Sequence, residues 1–291
     1  MPRTSQLRAV ATVLAIAALL SASAEAQPGT FKASVVSVMV DVAVTRGGRP
    51  VAELTTEAFT VTDDGVRQNV QVTPLFNMPL RVVLVLDTSA SVRGERLRRL
   101  VDASLNLVAT LKPSDRISLV TFSQDARMPV PMGPPGPEVR NALAGLNGSG
   151  PTAMRDALQL ALASEADQRG QSLILVFSDG EDTASWMPAE ALLESARRSN
   201  SVVHVVRFDV VDGAPPTLLD RLALATNGRT WAANSNGDLE SLFTRALDAM
   251  RARYLLRHSP QGAQRGGWHA IKVSLNNVRG DVAARPGYFV P

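Results

Sequence analysis

Val82-Val83-Leu84-Val85-Leu86-Asp87-Thr88-Ser89-Ala90-Ser91 is the stretch that decides the fold. Its five leading apolar residues do not alternate with polar ones. That is the pattern of a strand buried on both faces, which belongs to a parallel sheet covered by helices. A carboxylate and two hydroxyls follow at once as D-x-S-x-S. They place hard oxygens at one sheet edge, and such oxygens suit Mg²⁺, Mn²⁺ or Ca²⁺ rather than softer metals.

Outward from this strand the chain keeps alternating. Residues 93–111 carry apolar side chains at 97, 100, 101, 105, 108 and 111, a helical spacing. Further strands are expected at 116–122, 127–132, 172–177, 202–208 and 229–232. Further helices are expected at 137–146, 152–167, 188–199, 217–226 and 238–253, with Asn227-Gly228 as a stop signal. This order predicts an α/β fold over residues 80–253, a doubly wound, mostly parallel sheet with helices on both faces.

The flanks read differently. Val36, Val38, Val40, Val42 and Val44 recur at period two, a strand signal. A turn at Arg46-Gly47-Gly48-Arg49-Pro50, a strand at 59–62, a turn at Asp63-Asp64-Gly65 and a strand at 68–74 follow. Strand character returns at 254–257, 268–275 and 281–283. Neither segment 27–79 nor segment 254–291 is large enough to bury a core alone. The two are therefore expected to pair into one small β-sandwich flanking the α/β domain.

The 291 residues are 45% hydrophobic and 20% charged, an ordinary globular balance. The net charge of +3 is small, and the arginines between 93 and 99 alternate with apolar residues as a solvated helix face does, so no nucleic acid is expected. With no cysteine, disulfides and thiol chemistry are excluded. Arg3 and Arg8, an apolar run over 9–20 and Ala24-Glu25-Ala26 read as a signal peptide over 1–26, cleaved before Gln27. A retained anchor is the alternative. No later stretch is long and apolar enough for a transmembrane helix, so the chain is expected in the periplasm or secreted.

Two later segments bring more hard oxygens. Gly150-Pro151-Thr152 opens a helix, and Phe177-Ser178-Asp179-Gly180 closes a strand. Open parallel sheets bind ligands at the carboxyl ends of their strands, where Asp87 and Asp179 both sit. Plainer roles exist for each. Asp87 and Ser91 suit caps of the helix at 93, Thr152 suits an N-cap, and Asp179-Gly180 suits a turn. Glu181 and Asp182 read as solvated loop acids, with a hydrogen bond to the loop as a further role for Asp182. Ser89 as a nucleophile would need a base within reach. The three histidines are His204, mid-strand and best read as a core residue, and His258 and His269 in the terminal β region. There is no G-x-S-x-G, P-loop or G-x-G-x-x-G. Trp186 suits a rim contact or a core position equally.

Asp87, Ser89, Ser91, Thr152 and Asp179 together resemble the metal-ion-dependent adhesion site of von Willebrand factor type A domains. The resemblance covers about residues 80–252. The block 35–72, with Phe59-x-Val61-x-Asp63-Asp64-Gly65, and the ending Ala284-Arg285-Pro286-Gly287-Tyr288 resemble a bacterial secreted "VWFA-related" subgroup. The resemblance implies Ser89, Ser91 and Thr152 as direct ligands of Mg²⁺ (or Mn²⁺/Ca²⁺), with Asp87 and Asp179 acting mostly through bound water. It leaves one position for water or for an acidic residue of a partner protein. Gly150-Pro151-Thr152 departs from the Gly-Gly-Thr of many relatives, and its proline stiffens the loop. The implied function is a non-catalytic, divalent-cation-dependent protein-binding module. The alternative is an assembly or metal-insertion chaperone subunit of an enzyme complex.

Overall fold

A computed structural model describes residues 37–166, 172–178, 181–208, 214–233, 239–262 and 266–290. The expected signal peptide and Asp179 lie outside the described residues. In chain order the elements begin with β1 (Val38–Arg46), β2 (Arg49–Pro50), β3 (Phe59–Asp63), β4 (Val66–Gln68) and β5 (Gln71–Pro74). The alternating stretch is β6 (Arg81–Asp87), α1 (Glu95–Thr110), β7 (Arg116–Phe122), β8 (Ala126–Gly133), α2 (Pro137–Ala144), α3 (Met154–Ser164), β9 (Ser172–Ser178), α4 (Ala189–Arg198), β10 (Ser201–Phe208), α5 (Leu218–Ala225), β11 (Thr230–Ala233) and α6 (Leu239–Arg251). The tail holds β12 (Tyr254–His258), β13 (Gly267–Leu275), β14 (Asp281–Ala284) and β15 (Gly287–Val290).

The central sheet has the order β11-β10-β9-β6-β7-β8. Every neighbouring pair is parallel except β7 with β8. The chain therefore works outward from β6 on one side and returns to wind outward through β9 on the other. The reversal between β6 and β9 opens a crevice at their carboxyl ends, the usual ligand position in such sheets. Continuous apolar strands make this possible. Leu84 and Leu86 pack with Leu100, Leu107, Phe243 and Leu247 of α1 and α6. Val83 and Val85 face the other way, onto Ala157, Leu158, Leu193 and Leu222 of α3, α4 and α5.

The terminal segments pair as expected into a β-sandwich. One sheet runs β14-β1-β12-β5 with β2 on β1, and the other runs β15-β13-β3-β4. Both combine N-terminal and C-terminal strands. Val38, Val40, Val42 and Val44 of β1 meet Phe59, Val61, Tyr254, Leu256 and Ile271 in its core. The expected single strand at 68–74 is two short strands, and β15 adds a strand that the pattern of short, Pro- and Gly-interrupted residues at 284–291 concealed.

The sandwich docks at the amino ends of the central strands. Buried Arg253, just past α6, donates from Nε to buried Asp41 of β1. Arg285 donates to Ser199 O at 2.6 Å and Asn200 Oδ1 at 3.2 Å, immediately before β10. Asn227, before β11, donates to Ala283 O at 2.9 Å. Gly228 is required there, since a Cβ would lie 1.8 Å from Val203 O. These contacts sit opposite the edge that carries Asp87.

His204, within β10, is the core histidine expected. Its Nδ1 accepts the Arg229 N–H at 3.0 Å, and its ring meets Trp231 edge-on. Burial first, then the charges of Arg253 and Arg229, push its pKa well below the usual imidazole value. The folded state thus keeps His204 neutral while the unfolded chain takes up a proton below about pH 6.5. Stability is expected to hold above that pH and to fall below it by up to about 1.4 kcal/mol per unit from this group. Melts of the wild type and His204→Gln between pH 5 and 8 check this. Identical pH slopes would show that His204 contributes nothing.

Candidate metal centre

β6 ends on Asp87, which is fully buried. Thr88 leaves the sheet with its N–H and its hydroxyl both bonded to Phe122 O, at 2.8 and 2.9 Å. Asp87 Oδ1 accepts the Ser89 N–H at 2.8 Å, and Oδ2 accepts the Ser178 hydroxyl at 2.9 Å. One carboxylate therefore shapes the turn and ties the ends of β6 and β9 at the switch point. The turn brings Ser89 Oγ to 2.9 Å from Ser91 Oγ, with Ser89 buried and Ser91 exposed.

The loop before α3 is bonded to this turn. Ala90 N–H donates to Gly150 O at 2.9 Å and Ser149 N–H to Thr88 O at 2.8 Å. Gly150 has φ +80°, a conformation that glycine adopts without strain. The Thr152 N–H donates to Thr183 Oγ1 at 3.0 Å, and its carbonyl accepts the N–H groups of Thr183 and Ala184 at 2.9 and 3.1 Å. The Thr152 hydroxyl makes no hydrogen bond among the described residues.

The capping roles do not survive. α1 starts behind Gly94 and α3 behind Ala153, neither of which makes a side-chain cap bond, and the first-turn N–H groups of Arg155 and Asp156 in α3 donate to Asp182 and Ser185 instead. None of Asp87, Ser91 and Thr152 is the N-cap of α1 or α3. Asp182 does hold its loop, bonding the Arg155 N–H and guanidinium and the Ser185 hydroxyl at 2.8, 2.9 and 2.7 Å. Burial alone would raise its pKa. The bonds from Arg155 and Ser185 outweigh that and hold the carboxyl below its usual value.

The donor set suits a hard divalent cation. It is all oxygen, and the 2.9 Å between the two serine hydroxyls matches the roughly 2.9 Å between adjacent ligands in an octahedral shell of Mg²⁺ radius. Ser89 Oγ pairs with Ser91, whereas each histidine is engaged elsewhere.

A second cluster went unread in the sequence. Asp63 Oδ2 accepts the Tyr288 hydroxyl at 2.7 Å and lies 3.2 Å from His258 Nε2, while Oδ1 lies 3.2 Å from His269 Nδ1. Asp64 Oδ2 is 3.0 Å from the same His269 nitrogen. Burial, then the bond to Asp63, pushes the Tyr288 phenol far up. Donor atoms of Asp63, Asp64 and His269 all lie within 4.8 Å, a group that could hold a metal ion. The hydrogen bonds already satisfy the carboxylate without one. Period two could have found it, since Phe59, Val61 and Asp63 share the inward face of β3.

The family model described as "von Willebrand factor type A domain" matches residues 82–181. Human inter-alpha-trypsin inhibitor heavy chain H4 is 27% identical over 140 residues, 44% of this chain and 15% of its own length. An uncharacterized Synechocystis protein is 31% identical over 113 residues, 36% of this chain and 26% of its own. The chain spans about a quarter or less of the length of these curated relatives. Among solved structures, a von Willebrand factor type A protein from Catenulispora acidiphila shares the fold, with TM-score 0.52 and 12% identity over 87% of this chain and 72% of that one.

Proposed function

We propose that the protein is a non-catalytic interaction module that binds a partner protein through a divalent cation, a reading supported by the match of residues 82–181 to the family model described as "von Willebrand factor type A domain". Asp87, Ser89, Ser91, Thr152 and Asp179 would hold Mg²⁺ or a similar ion. The observation that carries this reading is the meeting of the Ser89 and Ser91 hydroxyls beside buried Asp87, at the switch point of the sheet. When bound, the ion supplies an electrophilic centre that attracts an external carboxylate. Asp87 orients the turn and balances charge from behind, while Ser91, exposed at the rim, marks the side on which a partner approaches. Among the described residues the hydroxyl partner of Ser89 is another serine and not a general base, which favours binding over hydrolysis.

Export belongs to the same proposal. It rests on the basic, apolar and Ala-x-Ala regions of residues 1–26. No helix among the described residues is long and apolar enough to cross a membrane. Intact mass of protein recovered from the envelope tests cleavage before Gln27.

Thr152→Ala provides the direct test of the site. Cation affinity is expected to fall about tenfold while the melting temperature stays near native, because Thr152 caps no helix. A loss of about 1 kcal/mol in stability with unchanged Mn²⁺ titration would make the threonine a structural residue and sink the assignment.

A further inference from the structure

Trp186 is 94% exposed, yet the loop that carries it is closely held. Its N–H donates to Asp156 Oδ2 at 3.1 Å, and the next N–H, of Met187, donates to Asp156 Oδ1 at 2.8 Å. The Ser185 hydroxyl donates to Asp182 and accepts the Asp156 N–H at 3.1 Å. Met187 packs onto the core below. Two residues upstream, Ala184 bonds to the Thr152 carbonyl, as Thr183 does, so the loop continues the rim of the candidate cation site.

Single exposed apolar side chains are common and need no explanation. Trp186 differs in three respects: a whole indole in solvent, an ordered backbone beneath it, and continuity with the oxygen cluster. Rigid presentation reduces the ordering cost of association, and tryptophan is enriched among the residues that dominate interfaces. We propose that Trp186 is the apolar anchor of the binding rim. The partner is a protein that offers a carboxylate to the oxygen cluster and, beside it, an apolar pocket that takes the indole. This inference rests on the cation reading of Asp87, Ser89, Ser91 and Thr152. A sugar ring is the other ligand that an exposed indole stacks on. Sugar hydroxyls need polar neighbours, and those of Trp186, namely Asp156, Asp182 and Ser185, are already bonded within the loop.

The probe is a library displayed on a small folded scaffold, selected on the full chain in Mg²⁺ and eluted with EDTA. EDTA-released binders are expected to carry a surface Asp or Glu and to lose at least about tenfold in affinity for Trp186→Ala. Leu224→Ala, a control on α5 whose side chain is 79% exposed, should change affinity less than about twofold, and Trp186→Ala should melt with the wild type. Binders that hold Trp186→Ala as tightly as wild type overturn the proposal. So does a melt lowered by several degrees, a selection without any Trp186-sensitive binder, or glycan-array binding lost in Trp186→Ala while protein binders are unaffected. Binders that EDTA does not release but Trp186→Ala loses keep the anchor and sink the cation, so the two failures are separable.

Discussion

Asp63→Ala is expected to destabilise the protein by about 3–5 kcal/mol, the usual cost of breaking a buried charged network from one side. The carboxylate is fully buried and is the shared partner of Tyr288, His258 and His269, which come from three different strands. Removing it leaves the Tyr288 hydroxyl and His258 Nε2 short of a partner and His269 Nδ1 with Asp64 alone, and each buried group left unpaired carries a desolvation cost. In a chain of this size that corresponds to a melting temperature roughly 10 °C lower. Tyr288→Phe removes a single bond and should cost about 1.5–3 kcal/mol. Thermal melts of both variants, with and without a chelator, decide the matter. A near-native melt for Asp63→Ala would mean that water replaces the carboxylate. A wild-type melt that a chelator lowers, unless Asp63 is replaced, would mean that Asp63, Asp64 and His269 hold an ion.

Asp87→Asn should leave the fold near native and weaken divalent-cation binding by about 10–100-fold, the range typical of groups that orient a metal's ligands. The asparagine oxygen can still accept the Ser89 N–H, and its amide can meet Ser178, so the turn keeps its shape. What disappears is the negative charge behind the serines. At a free Mn²⁺ concentration of 100 times the wild-type Kd, the wild type gains about 2.7 kcal/mol, whereas a variant with 100-fold weaker affinity gains only about 0.4 kcal/mol. Melting temperature against Mn²⁺ concentration reads this directly. Equal shifts in the two proteins would remove Asp87 from the site.

Much of the fold was legible because local pattern and global environment agree. Val82 to Leu86 is apolar without alternation and becomes a strand covered on both faces. Val38 to Val44 alternates and becomes a sandwich strand with one face inward. The turns at Gly47-Gly48 and Asp64-Gly65 have positive φ, as those residues allow. Legibility failed where short strands lack a full period, as at β4, β5 and β15. It failed also for polar residues on buried faces. Asp63 and His269 occupy inward positions of β3 and β13, but they are 206 residues apart in sequence, so neither predicts the other's presence.

By itself, then, the sequence determined the order of strands and helices, the oxygen-rich turn after β6 and the division into an α/β segment with β flanks. These follow from side-chain period and turn chemistry, which act over a few residues. Only tertiary structure decided that Ser89 meets Ser91 while Asp87 braces Ser178, that Thr152 caps nothing, that Asp63 gathers two histidines and a tyrosine, and that Trp186 stands in solvent rather than in the core. Each of these depends on which distant backbone a side chain meets, and that is set by sheet order and packing, not by the chain's local pattern.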